Sequence, residues 1–142
     1  MPTKNSTSEN SIQTTAVLLI NLGTPDSPST PKVRAYLREL LSSDRVLDIN
    51  PFLRWLLLNI FILPFRPNKT AKAYEKIWLE EGSPLMVYSQ KLKKSLTKQF
   101  AAENIHFELA MQCGEPSFKN ALDRLRANQY SRIIVIPMYP QY

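Results

Sequence analysis

"HFELAMQCGEPSFKNALDRLRANQYSRIIVIPM", residues His106–Met138, carries the reading that decides the fold. "HFELAM" (His106–Met111) has strand character, and "QCGEPS" is dense in turn formers. Pro116 or Ser117 then opens a helix that carries Phe118, Ala121, Leu122 and Leu125 along one side. "RIIVIPM" (Arg132–Met138) is the next strand; five of the six residues from Ile133 to Met138 are apolar, which reads as a buried strand. Strand, helix and strand in succession make the unit that joins two parallel strands.

The same order appears upstream. "AVLLI" (Ala16–Ile20) is a short continuous apolar run, suited to a strand covered on both faces. "NLGTPDSPST" (Asn21–Thr30) follows as a loop, and Thr30 before Pro31 reads as a hydroxyl cap with proline at the first helical position. Val33, Tyr36, Leu37, Leu40 and Leu41 continue at helical spacing. A further helix runs from about Pro84 to Phe100, with Leu85, Tyr88, Ser89, Leu92, Leu96 and Gln99 tracing a mostly apolar stripe. The expected fold is therefore α/β, a doubly wound parallel sheet. In such a sheet the carboxyl ends of the strands share one rim, where ligands bind. Three loops meet there: Asn21–Ser29, Gln112–Pro116 and Tyr139–Tyr142. None has the spacing GxGxxG or GxxxxGK[ST], so a nucleotide phosphate cradle is not expected.

Composition narrows the classes further. The 142 residues are enough for one domain with a sizeable core. A net charge of +6 admits an anionic ligand, an acidic membrane surface or nucleic acid. The basic residues do not cluster around a nucleic-acid-reading motif, so nucleic acid is not expected as a partner. One cysteine, Cys113, excludes an internal disulfide, and with one histidine, His106, the chain cannot build the usual structural zinc site. Cys113 reads as a small buried hydrophobe and His106 as a packed or edge-strand residue. Residues 1–15 form a polar tail, rich in Ser, Thr and Asn, without the apolar core of a signal peptide.

The middle of the chain is the unusual part. Phe52 to Leu63 is almost wholly apolar, interrupted by Arg54 and Asn59 and bracketed by Pro51 and Pro64. As a helix these residues extend only ~18 Å, too short for a hydrocarbon core of ~30 Å. The run reads either as a helix buried in the domain or as an apolar lip beside a hydrophobic pocket that touches a membrane surface. Arg66, Lys69, Lys72, Tyr74, Lys76 and Trp78 follow closely. They read as a surface helix with snorkelling lysines, or as the flank of a pocket for a flat apolar ligand with acidic arms.

"LLINLGTPDSP", "AYEKIWLEEGSPL", "LAMQCGEPS" and "IPMYPQY" occur in that order. Together they resemble the N-terminal half of the ferrochelatase family, of the bacterial protohaem type, over about residues 16–142. A coproporphyrin-type chelatase is the runner-up, and the long apolar segment favours the membrane-associated kind. The resemblance implies a Rossmann-like lobe, one of two that enclose a porphyrin cleft, with a membrane-facing lip over about 46–66. It implies insertion of Fe²⁺ into protoporphyrin IX, the last step of protohaem synthesis, with no cofactor held by this lobe. The macrocycle is bent in the cleft and a base removes two N–H protons as Fe²⁺ enters. The metal-side histidine and its acidic partner belong to the second lobe, so no catalytic or metal-ligating residue is expected here. On this reading the end at Tyr142 is a fragment boundary, and the fragment alone binds weakly and catalyses little.

Residue by residue, the resemblance assigns substrate contacts to Leu22, Arg66, Tyr74, Ser83, Gln112, Tyr139 and Tyr142. It assigns the lip to Phe52, Leu53, Trp55, Leu56, Leu57, Ile60, Phe61 and Ile62. One departure stands out: many relatives have Arg-Tyr where this chain has Gln112-Cys113. Glutamine keeps hydrogen bonding and loses the charge that anchors an acidic arm. A single cysteine excludes an iron–sulfur cluster. The expected location is cytoplasmic, with peripheral contact to the inner membrane, and self-association through the exposed lobe face is allowed. Two other classes stay open: a non-catalytic tetrapyrrole-binding module, and a membrane- or partner-interaction module built on the apolar run.

Overall fold

A computed structural model of the chain describes residues 14–44 and 46–139. Most of the polar tail, and Tyr142 with its two predecessors, lie outside the described residues. The elements are β1 (Thr15–Gly23), α1 (Thr30–Ser42), α2 (Pro51–Leu56), a π-helical segment (Leu57–Ile62), α3 (Leu63–Ile77), α4 (Pro84–Gln99), β2 (Ile105–Cys113), α5 (Phe118–Ala127) and β3 (Arg132–Pro137).

The sheet has three strands in the order β2-β1-β3, and both pairs are parallel. Thr15 aligns with Ile105 on one side and with Arg132 on the other. The mixed α/β fold with helices against a parallel sheet is the Rossmann-like lobe expected from the sequence. β1 runs three residues past its expected end, because Asn21 still pairs with Met111 and Gly23 with Cys113. Gly23 has φ +113°, and a Cβ there would lie 1.9 Å from the Cys113 carbonyl oxygen. Only glycine lets the two backbones approach so closely at the rim.

Alternation along β1 builds two cores. Ala16 and Leu18 pack with Ala110 of β2 and with Ala121 and Leu125 of α5. Val17 and Leu19 pack with Phe107, Leu109 and Met111, under Met86 and Leu96 of α4. The continuous apolar run therefore serves a strand covered on both faces. Cys113 is buried, as its reading as a small hydrophobe requires. His106 lies on the edge strand β2 and stacks on Tyr130, with ring centroids 5.3 Å apart.

Four expectations need correction. First, the cap of α1 is Ser29, one residue earlier, whose carbonyl accepts from the Val33 amide at 2.9 Å; Thr30 is already helical. The Ser29 hydroxyl bonds Ser27 and caps nothing. Second, β3 is a strand, but Ile133, Val135 and Ile136 are exposed. It is an edge strand, and among the described residues only its α4 side gains cover, through Ile134 and Met138. Third, on α4, Leu85, Tyr88 and Leu92 stay exposed, whereas Val87 and Ser89 are buried. Fourth, the helix-buried-in-the-domain reading of the apolar run fails. Phe52 is 67% exposed, Trp55 58% and Phe65 73%. Leu53, Leu57, Ile60 and Phe61 are exposed as well, Leu56 and Ile62 are half-buried, and Leu58 and Leu63 hold the run to the domain.

Pro64 does not stop this run. The π-helical turn carries the Leu63 amide to the Leu58 carbonyl, so the chain meets Pro64, which has no N–H to give, already on a widened turn. Helical geometry then continues to Ile77 with Pro67 inside. Among the described residues no helix is long and apolar enough to cross a membrane.

The β2 edge is held by one carboxylate. Glu108 accepts from Arg124 of α5 at 2.6 Å and from Lys93 of α4 at 3.4 Å, so both helical layers reach it; His106 Nε2 is 3.3 Å away. Burial alone would raise its pKa, but the Arg124 and Lys93 interactions outweigh it and hold Glu108 below the usual carboxylate range. A depressed native pKa stabilises the fold above the unfolded-state value, and that stability is lost as pH falls through the native value. Glu108→Gln should therefore cost about 1–2 kcal/mol at neutral pH and flatten the loss of stability below about pH 4.5. Denaturant unfolding across that pH range measures both; parallel pH profiles for the two proteins would contradict the clamp.

Candidate functional site

In a sheet of order 2-1-3 the chain crosses from one side of β1 to the other between β2 and β3, which leaves a crevice at the carboxyl ends of β1 and β3. A cavity of about 510 Å³ occupies that place. Its floor is Asn21, Gly23 and Thr24 at the end of β1, with Met138 just past β3. Tyr74 and Ile77 from the last turns of α3 form one wall, and Ser83 with Pro84, Leu85, Tyr88, Ser89 and Leu92 of α4 forms the other.

Local structure fixes the polar groups. The Asn21 amide donates to Ser89 Oγ at 3.2 Å, and its oxygen accepts from the Leu22 amide at 2.9 Å, so its orientation is set from both ends. Ser83 is 3% exposed and caps α4, accepting from the Met86 amide at 3.2 Å. That bond uses a lone pair and leaves the hydroxyl proton to donate. Tyr74 packs edge-on against Trp78, with ring centroids 6.0 Å apart. Burial pushes the Tyr74 phenol up, and the nearby Tyr36 hydroxyl pulls only partly the other way. Tyr36 donates to the Gly23 carbonyl at 3.2 Å and is pushed well above the phenol range, chiefly by burial. Both are neutral hydroxyls at neutral pH. Thr24 Oγ1 is buried with no partner among the described residues. Burial, with the Glu39 charge, raises the Cys113 thiol, so it is no thiolate nucleophile.

Of the residues expected to contact substrate, the cavity brings together Tyr74 and Ser83. Leu22 is about one-third exposed beside Asn21 and does not line it. Arg66 is exposed on α3, ~12 Å before Tyr74 at helical rise. Gln112 and Tyr139 are half-buried, next to Met111 and Met138, and neither lines the cavity. Tyr142 lies outside the described residues. Asn21 and Thr24 are added to the expected set, and their signal was a polar side chain at the end of an apolar strand. Ser89 showed itself as a serine inside the apolar stripe of α4. Among the described residues no group of three His, Cys, Asp or Glu side chains could hold a metal ion.

With this geometry in hand, comparison with known proteins is decisive. The ferrochelatase family model matches residues 14–142. The chain belongs to the ferrochelatase family. It is similar to the ferrochelatase of Coxiella burnetii (strain Dugway 5J108-111), 48% identical over 126 residues, covering 89% of this chain and 35% of that protein. The Marinomonas sp. (strain MWYL1) ferrochelatase is 49% identical over 129 residues, covering 89% and 39%. That of Serratia proteamaculans (strain 568) is 46% identical over 126 residues, also covering 89% and 39%. The chain thus spans little more than a third of the length of the curated relatives it matches. The four motifs read as ferrochelatase-like all fall within the region matched by the family model.

Because Ser83 serves both α4 and the cavity, two substitutions separate its roles. Ser83→Ala should cost about 1 kcal/mol, whereas Ser83→Gly, a tolerated cap, should cost only a few tenths. Equilibrium unfolding measures this, and equal losses would mean that the cap is not what Ser83 contributes to stability.

Proposed function

We propose that the protein inserts Fe²⁺ into protoporphyrin IX, and that the residues of this chain grip and shape the macrocycle. The observation that carries this reading is the cavity at the β1/β3 crevice, with Tyr74 and Ser83 on facing walls, in a chain of the ferrochelatase family. Its volume suits a small-molecule site, and its walls are mainly apolar with few polar groups. On this reading Ile77, Leu85, Leu92 and Met138 face the ring system. The neutral Tyr74 phenol and the Ser83 hydroxyl donate to a propionate at one end, and Arg66 reaches a propionate further along α3. Leu22, Gln112 and Tyr139 border the rim and would complete the grip.

Such walls favour a bent macrocycle over a flat one, so binding energy is used for distortion. The proton acceptor on the metal side is assigned to the part of the relatives that this chain does not span. The uncovered faces of β3 are where that further lobe would pack. The exposed apolar run, Phe52 to Phe65, is proposed as a lip resting on a membrane surface from the cytoplasmic side.

The reading is tested in the full-length protein by porphyrin fluorescence titration and by the rate of Fe²⁺ insertion. Tyr74→Phe and Arg66→Ala should each weaken protoporphyrin binding about five- to tenfold. Ser83→Gly should weaken it although the fold is kept. Unchanged affinity for Arg66→Ala would remove Arg66 from the site, and a full-length protein that inserts no Fe²⁺ would overturn the activity.

A further inference from the structure

We propose that the cleft between α1 and α2 binds the anionic phosphate headgroup of a membrane lipid, docking the apolar run beside it; this rests on reading that run as a membrane lip. The cleft encloses about 380 Å³, separate from the porphyrin cavity. Arg38 and Ser42 of α1 line one side, and Arg54, Trp55 and Asn59 line the other. Among the described residues no acidic side chain lines it. Arg54 is only 14% exposed; the Asp44 carboxylate and the Leu47 carbonyl, at 3.2 Å, fix its guanidinium in place. A guanidinium has five N–H donors, so these two partners leave donors for a ligand. Among the described residues no carboxylate pairs with Arg38.

Two guanidiniums lining one cleft, one of them pre-oriented and desolvated, are suited to phosphate, whose oxygens accept in the forked geometry that arginine presents. The surroundings select the source. Trp55 lines the cleft and is also more than half exposed, one turn along from exposed Phe52. An aromatic side chain with a polar edge, beside cations and above apolar side chains, matches the interface between headgroup and acyl chain. A phosphate held between Arg38 and Arg54 would belong to a lipid whose tails lie against Phe52 and its exposed neighbours. The cleft would thus set the depth and rotation of the lip, and with them the angle at which α3 leads back to the porphyrin cavity.

The test is co-sedimentation of the full-length protein with vesicles of phosphatidylcholine alone and of phosphatidylcholine mixed with phosphatidylglycerol. Wild type should bind the mixed vesicles more tightly. Arg38→Gln, a change on an exposed helix surface, should lose about fivefold of that binding while keeping its affinity for neutral vesicles and for protoporphyrin. Lys72→Gln, which removes an exposed cation outside the cleft, should lose clearly less. The pair Phe52→Ser and Phe61→Ser should weaken binding to both kinds of vesicle. If Arg38→Gln binds the mixed vesicles like wild type, or Lys72→Gln loses as much, the headgroup site is overturned and the lip stands. If wild type binds neither vesicle, lip and headgroup site fall together. If inorganic phosphate displaces the protein from neutral vesicles as readily as from mixed ones, the lipid source is wrong.

Discussion

Strand β1 is hydrogen-bonded on both edges and covered on both faces, and the rest of the molecule is arranged by that constraint. Its partners β2 and β3 lie on opposite sides and run in the same direction. Each therefore delivers its following segment to the same rim. The helices that connect the strands cover opposite faces, α4 over Val17 and Leu19 and α5 over Ala16 and Leu18. The cavity exists because the chain changes sides of β1 at that rim. Asn21 stands at its floor because the apolar register of β1 ends there, and Gly23 because β2 comes too close for any side chain.

A second feature gives the cavity its reach. The helical run from Pro51 to Ile77 is continuous through a π-helical turn and two prolines. Its far end is apolar and exposed, and its near end places Tyr74 and Ile77 in the cavity wall. A displacement of the apolar end would be carried along the helix to the cavity wall. Leu58 and Leu63, both buried, anchor the run to the domain. The exposed side chains are those proposed above to rest on a membrane surface.

Much of this was legible in the sequence because it rests on period and punctuation. The apolar block Ala16–Ile20, the proline helix starts at Pro31 and Pro84, and the serine-capped α5 fix strand and helix identity with local chemistry. Burial was less legible, because it depends on which neighbours a strand or helix meets. Among the described residues, those of β3 are as apolar as those of β1, yet β3 lies at a sheet edge and most of them are exposed. The run from Phe52 has the composition of a core helix, and only the positions of Leu58 and Leu63 show which narrow stripe is held. At the site, Tyr74 and Ser83 were reachable through resemblance. Ser89 was visible as a misfit serine in a stripe. The bond from the Tyr36 hydroxyl to the Gly23 carbonyl ties α1 to the rim and left no trace in local pattern.

The central claim is that the rim shared by the three parallel strands holds the porphyrin. Amide hydrogen exchange in the full-length protein, with and without protoporphyrin, tests it most directly. Slowed exchange is expected at residues 21–24, 74–77 and 83–92, with little change along α5. Protection that skips those segments, or that gathers on the α5 face of the sheet, would contradict it.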